Sequence, residues 1–168
     1  MSLSMYEASI PVFTRMLNNL SAILDKAQAH ADANAIDPAS LVEARLAPDM
    51  FPLAKQIQIA SDAVKGGAAR LAQVDIPGFA DTESSFAELK ARIERTLAFI
   101  STISADQVNG SEERIVSIKL PSGELHLAGQ AFLLNFVLPN LYFHITTTYA
   151  ILRHNGVALG KLDYLGGY

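Results

Sequence analysis

From Leu125 to Leu152 the chain carries no Asp, Glu, Lys or Arg. An uncharged run of this length has two physical homes, a membrane or the inside of a protein. A spanning helix needs about 20 mostly apolar residues. Here two Asn, a Gln, a Pro, three Thr and His144 would have to sit in hydrocarbon, where unpaired polar groups are costly. Gln130, Asn135, Asn140, His144 and Thr148 instead interrupt the apolar residues at near-helical intervals, and Arg153-His154-Asn155-Gly156 closes the run. The pattern predicts a helix buried among other helices, with a polar spot inside. No membrane span is expected.

The rest of the chain supplies the partners for such a helix. Ile10, Phe13, Leu17, Leu20 and Leu24 recur at spacings of three and four, predicting a helix from about Ser4 to about Ala33. Pro11 must lie in its first turn or bend it. Asp37-Pro38 reads as an N-cap followed by proline at the first helical position, opening a short helix over 38–44. After Ala47-Pro48-Asp49, a second long helix is predicted from Phe51 to Gln73 on the stripe Leu53, Ile57, Ala60, Val64 and Leu71. Gly66-Gly67 either weakens its middle or lets another backbone approach closely. Ser85-Phe86-Ala87-Glu88 has capping-box spacing and starts a third long helix, to about Ile103, on Phe86, Leu89, Ile93, Leu97 and Ile100.

The period then changes. Residues 115–120 and 124–127 are short β-prone runs joined by Pro121-Ser122-Gly123, a hairpin signal. Two strands alone are marginal in water, so the hairpin should lean on the bundle. The last long helix follows from Gly129 to His154. Pro139 should kink it, because the ring clashes with the preceding turn. Asn155-Gly156 is a helix stop. The tail over 160–167 looks too glycine-rich for another helix.

Composition narrows the function classes. The 168 residues fit one domain, 1–168, with a sizeable core. There is no cysteine, which excludes disulfides, thiolate nucleophiles and cysteine-ligated metals. The net charge is -4 and no Lys/Arg cluster occurs, so nucleic-acid binding is not expected. The N-terminus shows no signal-peptide pattern, which points to the cytoplasm. Only 18% of residues are charged while 50% are hydrophobic. That balance leaves apolar surface for a second subunit, and a homodimer is one expected arrangement.

Chemistry should sit on the last long helix. Asn140, His144 and Thr148 are spaced by four and share a face. A histidine in a bundle core can begin a metal site when facing helices add ligands. No His-x-x-x-His or His-Glu-x-x-His motif is present, and His144 and His154 are too far apart to share an ion, at about 15 Å of helix. The simpler reading is a buried His144 hydrogen-bonded to a neighbour. The helix over 51–73 offers Gln56, Gln58 and Asp62. Asp62 could cap, pair with Lys65 or Lys55, or face His144; the last would form an acid–base pair. Tyr6, Tyr142 and Tyr149 are candidate pocket liners. Phosphate-loop and Gly-x-Ser-x-Gly motifs are missing.

Certain stretches resemble a known family. They are Leu46-Ala47-Pro48-Asp49-Met50-Phe51-Pro52-Leu53, Gln56-Ile57-Gln58-Ile59-Ala60-Ser61-Asp62, Pro139-Asn140-Leu141-Tyr142-Phe143-His144, Ile151 through Gly156, and Gly160-Lys161-Leu162-Asp163-Tyr164-Leu165-Gly166. With the helix order they resemble DUF1993, a bacterial domain-of-unknown-function family of the DinB/YfiT-like superfamily of metalloenzymes. The resemblance implies an all-α four-helix bundle, up-down-down-up, with a small β-hairpin before the last helix. It also implies a divalent ion, zinc or nickel, on three histidines: one from the second long helix and two, spaced by four, from the last. His144 matches the later of that pair, Asn140 stands at the earlier position, and Gln56 falls near the remaining one. The expected function is therefore an uncharacterised DinB/YfiT-like protein with a degenerate metal site that binds a small molecule. The alternatives are a metal-dependent thiol transferase or isomerase using His144, and a dimeric interaction protein without catalysis.

Overall fold

The computed structural model describes residues 3–120 and 123–167. The predicted Pro121-Ser122 turn lies outside the described residues. The chain is mostly helical. Helix α1 spans Ile10–Asn34, α2 Pro38–Val42, α3 Leu53–Ala72, α4 Phe86–Ile100 and α5 Ala105–Val108. Strands β1 (Ile115–Leu120) and β2 (Gly123–Ala128) pair antiparallel, with Val116 opposite Leu127 and Ile118 opposite Leu125. A continuous helical rod follows: α6 over Gly129–Phe132, a π-turn over Leu133–Val137, and α7 over Leu138–His154. Helix α8 (Lys161–Leu165) is the last element.

The four long elements bury their stripes against one another. Helix α3 packs on both α4 and α7, and α1 packs on α4 and reaches α7. Phe13, Leu17, Leu20 and Leu24 of α1 are fully buried, as are Leu53, Ile57, Val64 and Leu71 of α3, Leu89 and Ile93 of α4, and Leu141 and Ile145 of α7. Val116 and Ile118 turn the hairpin's apolar face onto this core, which is how two strands persist without a larger sheet. Among the described residues no helix is long and apolar enough to cross a membrane.

Local chemistry sets the helix ends. Asp37 caps α2 by accepting from the Ala39 N–H at 3.0 Å. Ser85 accepts from the Glu88 N–H at 3.3 Å, while Glu88 reaches back to the Ser84 N–H at 2.7 Å, one residue beyond the reciprocal bond of a standard capping box. Pro11 sits in the first turn of α1, which begins at Ile10 and not near Ser4. The residues before it form turns, including Ile10 N–H to the Tyr6 carbonyl at 3.1 Å.

Pro139 lies in a continuous helical rod, and the residues before it loosen into a π-turn. A wider turn accommodates a ring that would collide with an α-helical carbonyl four residues back. The expectation that the glycine-rich tail forms no helix is corrected: it forms α8. Its first turn is held by the Asp163 carboxylate accepting from the Gly160 N–H at 2.8 Å. Its body is tied to α1 by Lys26–Asp163 at 2.6 Å and by Asn19 donating to the Tyr164 carbonyl at 3.0 Å. Tertiary anchors thus outweigh the glycine content.

Gly67 explains how closely the rod approaches α3. A Cβ there would lie 2.6 Å from Val137 Cγ1, inside the π-turn. The close approach at Gly67 is made by a side chain and not by the backbone expected for Gly66-Gly67.

Candidate functional site

Gln56 lies one turn into α3 and His144 midway along α7, so the α3–α7 packing brings them together. Gln56 Nε2 donates to the Phe51 carbonyl at 3.0 Å, a group left just ahead of the helix. That bond orients the carboxamide and turns Oε1 toward the imidazole, where Oε1 and His144 Nδ1 are 2.7 Å apart. An amide oxygen can only accept, so Nδ1 carries the proton and Nε2 of the neutral ring keeps a lone pair. His144 is only 9% exposed, and burial pushes its pKa below the ordinary 6.5. The ring is therefore neutral at pH 7. Nε2 has no hydrogen-bond partner among the described residues, and it is not sealed from solvent.

His144 and Gln56 line a cavity of about 200 Å³ with Asp49, Met50, Phe51 and Phe143. Phe143 meets the imidazole edge-on, with ring centroids 5.2 Å apart and planes at 88°. Phe51 and Phe143 are 55% and 56% exposed, which makes them the apolar rim. Asp49 is exposed and joins none of the ion pairs among the described residues. Below the rim, Thr147 and Thr148 donate to the Phe143 and His144 carbonyls at 2.8 and 2.9 Å. Thr148 thus serves the backbone of α7 and does not line the cavity.

The other predicted pocket residues lie elsewhere. Asn140 Nδ2 donates to the Phe136 carbonyl at 2.6 Å, supplying a donor in the stretch where Pro139 has none. Tyr149 is half-buried against the core. Asp62 does not face His144. It pairs with Lys65 at 3.0 Å and with Arg92 Nη2 at 2.9 Å. Asp49, Phe51 and Phe143 escaped the sequence reading as site residues. The available signal was two aromatics and an acid flanking Gln56 and His144 in sequence, but only the α3–α7 contact unites them.

A second polar cluster was also missed. Arg92 is fully buried (0% exposed), and it bonds Glu83 at 3.1 and 3.2 Å, Asp81 at 2.9 Å, the Ala80 carbonyl at 3.2 Å and Ser61 at 3.2 Å. Burial works against the guanidinium charge, but Glu83, Asp62 and Asp81 outweigh it and hold the group protonated. The Phe79 ring lies beneath Lys65, 4.2 Å from its Nζ. These contacts strap the α3–α4 connection onto the two helices. Arg92 falls three residues after Leu89, inside the buried stripe, and that was the legible warning.

The donor set does not suit the three-histidine metal centre implied by the resemblance. By that resemblance Asn140 stands at one histidine position and Gln56 falls near another, and carboxamides are poor ligands for zinc or nickel. His144 Nδ1 is already spent on Gln56. Among the described residues no three His, Asp or Glu side chains are grouped so that they could hold a metal ion.

Three comparisons bear on kinship. The profile of DUF1993, a domain of unknown function, matches residues 5–165. A crystal structure of a DinB family member protein from Shewanella denitrificans is 42% identical, with a TM-score of 0.90, covering 97% of this chain and 92% of that one. No curated protein matches the chain.

Proposed function

The chain belongs to the DUF1993 family, and from that premise we propose that it is a DinB/YfiT-like up-down-down-up bundle whose metal site has become a small-ligand pocket. The observation that carries this reading is the relay from the Phe51 carbonyl through Gln56 to His144 Nδ1. It holds the imidazole in one tautomer and leaves Nε2 as a neutral acceptor at an apolar cavity. A few placed polar groups among apolar walls are what a small-molecule site requires. The volume, about 200 Å³, lies below the usual range for drug-sized ligands, so the ligand is small. Its defining group is an N–H or O–H that donates to Nε2.

The test combines metal analysis with ligand screening on the full chain. Freshly purified protein is expected to carry no stoichiometric zinc or nickel. Small ring compounds bearing a donor should raise the melting temperature, and His144→Gln should abolish that rise while the variant stays folded by circular dichroism. Stoichiometric metal that disappears in His144→Ala would overturn the reading and restore the metal-dependent transferase or isomerase.

A further inference from the structure

We propose that the ligand of the His144 pocket is an organic cation, a small primary amine carried on a ring. This rests on the small-ligand reading above and adds the charge. Three observations support it.

The lining carries one formal charge, the Asp49 carboxylate, and Asp49 has no ion-pair partner among the described residues. The remaining polar side chains, Gln56 and His144, offer no positive charge to an anion. One of the two Gln56 N–H donors is engaged on the Phe51 carbonyl, and the Nδ1 proton is engaged on Gln56. Arg45 donates to the Met50 carbonyl and does not line the cavity. What the pocket presents to a ligand is therefore one anion, no cation, and one free acceptor, Nε2 of a histidine nine-tenths buried.

The walls complete the match. Phe51 and Phe143 expose their rings at the mouth, and aromatic faces attract ammonium groups through the ring quadrupole. A primary ammonium has three N–H donors and no acceptor. One can go to Asp49 and one to His144 Nε2, while the third remains for water or the aromatic rim. A carboxylate ligand would meet Asp49 with like charge and would find no positive charge among the lining side chains, and at most one neutral amide N–H, on Gln56.

Four probes on one ring scaffold test this by two-dimensional NMR and calorimetry with the full chain. Benzylamine should bind and shift the resonances of His144, Phe51 and Phe143. Benzyl alcohol, which keeps a donor but loses the charge, and benzyltrimethylammonium, which keeps the charge but loses the donor, should each bind about tenfold more weakly or worse. Phenylacetate should not shift these resonances. Asp49→Asn should weaken benzylamine about tenfold, leave benzyl alcohol unchanged, and remove the salt dependence of benzylamine binding. Equal binding of benzylamine and benzyl alcohol, both lost in His144→Gln, would overturn the cation and leave the small-ligand reading standing. Phenylacetate as the tightest probe would overturn the cation in favour of an anion drawn by Arg45. No shift at the pocket with any probe would overturn both readings.

Discussion

Replacing Gln56 with leucine tests the relay on which the site depends. The change keeps the side chain's bulk but removes two hydrogen bonds, at 2.7 Å to His144 and 3.0 Å to the Phe51 carbonyl. Each is worth about 1 kcal/mol net, and an abandoned buried donor costs about 1–3 kcal/mol. His144 Nδ1 is such a donor, so roughly 2 kcal/mol should be lost. For a chain of this length that is a fall of roughly 4–8 °C in melting temperature. Imidazole nitrogen shifts should report protonated Nδ1 and bare Nε2 in the native protein, with the preference relaxed in Gln56→Leu. The native His144 should also titrate below 6.5, because burial disfavours its charged form. The sign of the pH effect follows from this. Below pH 6.5 the unfolded histidine takes up a proton that the folded one refuses, so stability falls as the pH drops from 6.5 toward the folded pKa. The slope is at most about 1.4 kcal/mol per pH unit. A native ring protonated on Nε2, or one titrating above 6.5, would refute the reasoning whatever the stability change.

Two further substitutions probe what positions the site. Arg92→Met should cost roughly 3–5 kcal/mol in urea unfolding, because it leaves the buried Glu83 carboxylate with only the neutral Gln58 donor at 3.1 Å and the outlying Arg95 at 3.4 Å; adding Glu83→Gln should recover part of the loss. A cost below about 1 kcal/mol would show that the strap is not stabilising. Gly67→Ala should destabilise by about 1–3 kcal/mol despite alanine's better helix propensity, since the new methyl would press on buried Val137; Val137→Ala in the same chain should relieve it. Neutral or stabilising behaviour of Gly67→Ala by calorimetry would mean that α3 and the π-turn can move apart without cost.

Much of the architecture is a property of the chain read in order. Apolar residues every three or four positions specify α1, α3 and α4, because one face of each must leave water. Asp37 and Ser85 specify two helix starts, because their oxygens accept backbone N–H groups that would otherwise go unpaired. From Gly129 on, the charge-free run over 125–152 specifies a helix inside the fold, and His144 is buried on it. These signals are local, and local chemistry acts whatever the rest of the molecule does. Other features exist only once the helices meet. Asp62 had several cations within reach, and its choice of Lys65 and Arg92 over His144 follows from which face of α3 meets α4. Pro139 disrupts an ideal α-helix, yet the surrounding contacts hold the rod together through a π-turn. The glycine-rich tail becomes helical because Asn19 and Lys26 are there to receive it. The pocket itself joins Asp49 and Phe51 to Phe143 and His144 across about ninety residues of sequence, a proximity set by the packing of α3 on α7 and by nothing within either segment.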